Sequence, residues 1–210
     1  MTRLRWIRYG IWAVVAVIAV GLVTAWATGG FNGGVAALGN ATSTALGSGE
    51  IGGPFTLTDQ HGATVTDTDL KGHPSALFFG YTFCPDVCPT TLADITVWLQ
   101  DLGPSADKLK VYFVTVDPER DSQQKMGEYL QAFDPRILGL TGPRPAIDQI
   151  LKDYRVYSRK VDGVNGAPYT MDHTAAVYLL DANAQFTGTI DYEENPDTAL
   201  AKLKRLVGAA

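Results

Sequence analysis

The stretch SALFFGYTFCPDVCPTTL, residues 75–92, decides how this chain folds. It opens with an unbroken apolar run from Ser75 to Tyr81, the pattern of a strand buried on both faces. A proline-marked loop follows and carries Cys84 and Cys88. Beyond it, Leu92, Ile95, Leu99 and Leu102 recur at steps of three and four, the spacing of a helix with one apolar stripe. Strand, loop and helix in that order put the cysteines at the carboxyl end of a buried strand, where open α/β sheets carry their reactive groups.

Proline sets the local geometry. The residue before a proline is pushed away from helical angles, and proline itself is favoured at the first helical position. The spacing therefore predicts Cys88 as the N-cap and Pro89 as the first residue of the helix. Both sulfurs then lie near a helix N-terminus, where free N–H groups and the helix dipole favour thiolate over thiol.

Outward from this stretch the alternation continues. Phe55-Thr56-Leu57 and Ala63-Thr64-Val65 flank Gly62 and predict a hairpin. KVYFVTV (110–116) and AAVYLL (175–180) are two more buried-strand runs. Helical spacing recurs at Met126, Tyr129, Leu130 and Phe133, at Ile147, Ile150, Leu151 and Tyr154, and from Thr198 to Leu206 after Pro196. Strands alternating with helices predict an α/β sandwich with parallel strands at its centre, and residues 51–210 suffice for one such core.

The first fifty residues are different. Arg3, Arg5 and Arg8 are followed by no charged residue until Glu50. Residues 11–28 form an apolar run that reaches about 27 Å as a helix, enough for a bilayer core. Trp12 and Trp26 stand near its ends, where aromatic belts form. The expectation is a single transmembrane anchor over 11–28 with a cytoplasmic basic segment, 1–10, by the positive-inside rule. The rival is a signal peptide cut near Ala25-Trp26-Ala27, and either delivers the rest to the far side of the membrane. No cysteine stands directly after the run, so a lipoprotein anchor is not expected. Residues 29–50, rich in Gly, Ala, Ser, Thr and Asn, read as a flexible linker.

Net charge is −5, from 17 basic and 22 acidic residues, which argues against a nucleic-acid partner. Setting aside the three leading arginines leaves 14 basic against 22 acidic, or −8. Such a surface suits a cationic ligand or a basic partner, and serves solubility equally. Two cysteines are too few for a disulfide scaffold and read as a redox pair or a metal site.

Of the three histidines, His61 and His73 sit beside turns and read as solvated loop residues. His173 stands at the mouth of the AAVYLL run. Beside two thiolates it would complete a three-ligand site for a soft metal, with one net negative charge holding Cu(I) and none holding Cu(II). On the residues alone two alternatives stay open: the cysteines as a plain redox pair, and His173 as a structural hydrogen-bonding group.

Five stretches together resemble the Sco/SenC family of copper-delivery proteins. They are IGGPFTL (51–57), FFGYTFCPDVCPTTL (78–92), FVTVDPERD (113–121), LGLTG (138–142) and MDHTAAVYLL (171–180), in the family's order. The resemblance implies a thioredoxin-like three-layer sandwich with a central mixed sheet. It implies that Cys84, Cys88 and His173 bind one copper per chain, as Cu(I) and Cu(II). It also implies a chaperone that delivers copper to, or reduces the cysteines of, the binuclear copper centre of cytochrome c oxidase. The partners would be that oxidase subunit, with other periplasmic copper carriers or thiol reductants. The location would be the cell inner membrane, single-pass, with the domain in the periplasm or an equivalent oxidising space. Ala184 stands where the family usually has a glycine, which bears on one turn only.

A thiol-disulfide oxidoreductase acting through Cys84 and Cys88 without copper is the main competitor, although its relatives mostly space the pair as C-x-x-C. A thiol peroxidase, with Arg120 activating a cysteine, is a third. Within the matching stretches, Asp121 is expected to cap the next helix. Asp172 is expected either to orient His173 or only to accept backbone hydrogen bonds. Asp86 would tune the thiols, meet a partner or remain a solvated acid.

Overall fold

The computed structural model describes residues 51–208, together with Val17, Ala19 and Thr24, which are helical. The chain divides into two units, Met1–Gly49 and Glu50–Ala210. The expected anchor, apart from those three positions, and the expected linker lie outside the described residues. Among the described residues no helix is long and apolar enough to cross a membrane.

The second unit is an α/β domain. Its strands are β1 (Thr56–Asp59), β2 (Thr64–Thr66), β3 (Ser75–Gly80), β4 (Lys110–Thr115), β5 (Ile137–Thr141), β6 (Ser158–Val161), β7 (Thr170–His173), β8 (Ala176–Leu180) and β9 (Phe186–Asp191). Its helices are α1 (Val87–Asp101), α2 (Gln123–Leu130), α3 (Arg144–Asp153) and α4 (Pro196–Leu206). Seven strands form one mixed sheet in the order β2-β1-β5-β4-β3-β8-β9, and β6 with β7 forms a separate two-stranded sheet. The fold is thioredoxin-like with a central mixed sheet, as the resemblance implied.

The three apolar runs become three adjacent interior strands, β4, β3 and β8. β3 is buried at every residue, with β4 parallel on one side and β8 antiparallel on the other. A centre built only of parallel strands is therefore corrected in one respect. Between β3 and β4, and between β4 and β5, the chain crosses back through a helix and the pairs are parallel. Before β8 it passes through the β6–β7 hairpin instead, and β8 enters the sheet in the opposite sense.

Phe78 stacks on Phe113 across β3 and β4 with ring centroids 5.8 Å apart, and Phe79 meets Tyr178 of β8 edge-on at 5.4 Å. These rings fill the centre of the core, each aromatic pair adding about 0.5–1.5 kcal/mol beyond its burial. The β1–β2 hairpin forms as expected, with Gly62 at a φ of 91° in its turn.

Ala184 lies in the turn between β8 and β9 with a φ of 62°, a conformation in which a Cβ crowds the following carbonyl. Replacing it with glycine removes that crowding, partly offset by the entropy that glycine loses on folding. The expected result for Ala184→Gly is a gain of about 0.5–1 kcal/mol, or a rise of about 1–4 °C in Tm. A thermal melt that stays level or falls would contradict it.

Candidate metal centre

The cysteine loop begins where β3 ends. The Cys84 N–H donates to the Tyr81 carbonyl at 3.3 Å and closes a tight turn. A buried carboxylate holds this turn from beneath. Asp121 accepts from the Thr82 N–H at 3.1 Å and from the hydroxyls of Thr82 and Thr115, each at 2.6 Å. Its backbone carbonyl accepts from the Thr141 hydroxyl at 2.7 Å. One residue thus ties the ends of β3, β4 and β5 together. Burial pushes its carboxyl up, and the hydrogen bonds from Thr115 and Thr82 oppose that shift. The expected capping role of Asp121 passes to its neighbour: Ser122 is the N-cap of α2 and accepts from the Lys125 N–H.

The start of α1 also differs from expectation. The helix begins at Val87 with Asp86 at the N-cap position, so Cys88 and Pro89 both lie inside its first turn. Proline fits there because the first N–H groups of a helix have no intrahelical partner. The side chain of Asp86 makes no capping bond; the Cys88 N–H donates instead to the Cys84 sulfur at 3.3 Å. Cys84 therefore acts as a sulfur cap on α1, and its thiolate meets the positive end of the helix.

His173 arrives from the other direction, as the last residue of β7, paired in register with Ser158. Its Nε2 lies 3.4 Å from the Cys88 sulfur. Its Nδ1 lies 3.0 Å from the Thr174 carbonyl, which can only accept, so that contact requires the proton on Nδ1. In a neutral ring Nε2 then carries the lone pair and faces the Cys88 sulfur, the tautomer a metal ligand needs. The rings of Tyr81 and Phe78 stand edge-on to the imidazole, with centroids 5.8 and 6.3 Å away. One ligand atom from each of Cys84, Cys88 and His173 lies within 4.8 Å of the others.

Gly80 makes this approach possible. A methyl group there would stand 2.7 Å from the Cys88 sulfur and 2.7 Å from the Phe113 ring. Cys88 is fully buried against the strand, while Cys84 is half-exposed at the mouth of the site.

The two thiols share one proton. The Cys88 S–H donating to Cys84 is the largest cause that draws the Cys84 thiol down to about 4. Burial opposes this, while the N–H groups of Asp86 and Cys88 reinforce it. The same bond, with burial and the Cys84 charge, pushes Cys88 far above the usual thiol range. The reduced site is thus a half-exposed thiolate in front of a buried thiol.

Asp172 does not face His173. It pairs with Arg159 across the hairpin at 2.9 Å on the exposed side, so of the two expected roles the orienting one is absent. Arg120 pairs with Asp117 and donates to the Tyr169 carbonyl at 2.8 Å; among the described residues no hydrogen bond joins it to either sulfur. Sequence reasoning missed Gly80, the Tyr81 and Phe78 rings and the Arg120–Tyr169 contact. The FVTVDPERD stretch was the signal for the last of these.

A thioredoxin-like domain with a cysteine pair at a strand–helix junction, and a histidine aimed at it from a hairpin, defines a class of thiol- and metal-handling proteins. The SCO1/SenC family model matches residues 43–208, and the chain belongs to that family. It is 36% identical over 167 residues to the mitochondrial protein SCO2 of Saccharomyces cerevisiae, covering 79% of this chain and 56% of that one. Among solved structures, copper-bound ScoI of Bradyrhizobium japonicum is 49% identical with a TM-score of 0.69, covering 74% of this chain and 99% of that one. Copper-bound yeast Sco1 is 36% identical with a TM-score of 0.70, covering 77% and 90%. The chain thus spans little more than half the length of the yeast SCO2 protein and nearly all of the solved copper-bound domains.

Proposed function

We propose that this chain is a copper chaperone that holds one Cu(I) or Cu(II) on Cys84, Cys88 and His173 and passes it to the cytochrome c oxidase subunit that carries the binuclear copper centre. The observation that carries the proposal is the convergence of two sulfurs and a ring nitrogen within 4.8 Å. Thiolates with an imidazole suit copper in both oxidation states, and the copper-bound relatives agree with that cargo.

The chain's own groups divide the work. Cys84 is already a thiolate, so it binds without first losing a proton. Cys88 gives up its proton on binding, so loading falls as pH falls. His173 sits on a hairpin outside the main sheet, so its ring can shift without breaking a strand pairing of that sheet. The half-exposed Cys84 faces the approach of a partner's own thiolates, and transfer proceeds through intermediates that share ligands.

In the membrane arrangement that goes with this function, residues 1–10 are cytoplasmic, 11–28 anchor the chain and 29–50 tether the domain, 51–210. The domain then works in the periplasm or an equivalent oxidising space beside the inner membrane. The apolar run and the three leading arginines support that arrangement.

A second reading is favoured by the exposed thiolate backed by a buried thiol. Cys84 would attack a partner disulfide, forming a mixed disulfide and releasing one partner thiol. Cys88 would then lose its proton and attack the Cys84 sulfur, releasing the second partner thiol. The pair gives up two electrons and ends as a Cys84–Cys88 disulfide, leaving the partner's cysteines reduced.

Copper titration of the full-length chain in mild detergent, beside His173→Ala and Cys84→Ser, tests both. The copper reading expects one ion per wild-type chain and affinity at least about tenfold weaker in either variant, the loss expected even when a group that only supports a ligand is changed. If His173→Ala binds copper as tightly as wild type and still reduces disulfides, the oxidoreductase reading replaces it.

A further inference from the structure

The β6–β7 hairpin carries His173 but pairs with no strand of the main sheet. Its base is closed by Thr174 N–H donating to the Tyr157 carbonyl and by Tyr157 N–H donating to the Thr174 hydroxyl, both at 3.0 Å. Met171 anchors its middle in the core. A further hold on the domain is at Tyr169, one residue before β7.

Four contacts grip Tyr169 there. Its carbonyl accepts from Arg120 Nη1 at 2.8 Å, and its hydroxyl donates to Asp117 Oδ1 at 3.0 Å. The Arg120 guanidinium lies 3.6 Å from the centre of its ring. Lys160 Nζ lies 3.9 Å from the same ring and 3.6 Å from Glu119. The grip is desolvated at its root, since Asp117 is 1% exposed and paired to Arg120 through Nε.

The same guanidinium reaches the cysteine loop. Its centre lies 4.7 Å from the ring of Phe83, the residue before Cys84, and 5.6 Å from the ring of Tyr81, which stands against His173. One side chain thus touches both the loop that bears Cys84 and the hairpin that bears His173. Lysine could not replace it, because a single ammonium cannot pair through one edge, donate to a carbonyl through another and lie flat on a ring.

We propose that Arg120 is a positioning residue that clasps the His173 hairpin to the cysteine loop and so sets how long copper is retained. This rests on the copper reading above. With the clasp closed the hairpin is pinned at both ends and the imidazole stands against the sulfurs; with it open the strand from Tyr169 to His173 loosens and the imidazole holds the ion less tightly. A partner that competes for Tyr169 or Phe83, the latter 53% exposed, would open the clasp where it docks.

The test uses the full-length chain in detergent, with Arg120→Met and Tyr169→Leu. The second variant removes the stack from the hairpin side and leaves the Arg120–Asp117 pair intact. In the copper-free protein, both are expected to speed amide exchange across residues 158–173 about tenfold, the loss of a desolvated cation–π contact, with β3 and β4 unchanged. In the copper-loaded protein, both should weaken the imidazole nitrogen coupling in the Cu(II) resonance spectrum and speed Cu(I) release to a dithiol chelator about tenfold. Arg120→Lys should restore only part of either effect.

Unchanged hairpin exchange in both variants would overturn the clasp. Faster exchange with unchanged copper release would overturn its control of the ion. Should His173→Ala itself release copper no faster than wild type, the copper reading fails, while the exchange measurement still decides the clasp.

Discussion

Alkylation of Cys84 by iodoacetamide in the reduced protein is expected to proceed at a rate that stays flat from about pH 5 to about pH 8, where an ordinary thiol speeds up about tenfold per pH unit. The cause is the fall of the Cys84 thiol from an ordinary 9.0 to about 4, with the Cys88 S–H bond as the largest contributor. The shape of the profile is the test, because a less basic thiolate is also a poorer nucleophile and the absolute rate gains little. Cys88→Ala removes the main donor and should shift the plateau to higher pH. A rate in the wild-type protein that still climbs tenfold per unit through neutrality would refute the assignment.

The same shift fixes a pH dependence of stability. A thiol depressed in the folded state contributes stability that is fully present above its unfolded value, here 9.0, and is lost as pH falls through about 4. The raised Cys88 works in the opposite sense, its contribution being present below the ordinary thiol value of 9.0 and lost progressively as pH rises above it. The reduced protein should therefore gain stability as pH rises from about 4 towards 9. Denaturant midpoints of the Cys84→Ser variant should show less of this rise.

The second large effect is expected at Gly80. The methyl group of Gly80→Ala would stand 2.7 Å from both the Cys88 sulfur and the Phe113 ring. Neither neighbour can yield freely: Cys88 is held in the first turn of α1, and Phe113 is fully buried and stacked on Phe78. Overpacking of this kind costs about 1–3 kcal/mol, which in a domain of this size lowers Tm by about 3–10 °C. Relief comes most readily by moving the sulfur away from the strand, which opens the distance to His173 and should weaken copper binding at least about tenfold. An unshifted melt with undiminished copper affinity would show that the tight approach of sulfur to strand is unimportant.

What the residues determined alone was the layout. The apolar runs at 75–81, 110–116 and 175–180 can be buried only as interior strands, and helical spacing between them places the helices. The loop bearing Cys84 and Cys88 had to fall at a strand end, and His173 at the mouth of another. These follow from local periodicity, which every segment carries in its own sequence. Pairing sense did not, because the direction of β8 depends on the hairpin before it and not on the strand itself. Nor did the roles of Asp121, Asp172, Arg120 and Gly80, since each depends on a partner from another part of the chain: Thr82, Arg159, Tyr169 and Cys88. Local spacing says which side chains are present on an element; only the folded chain decides which distant atoms they meet.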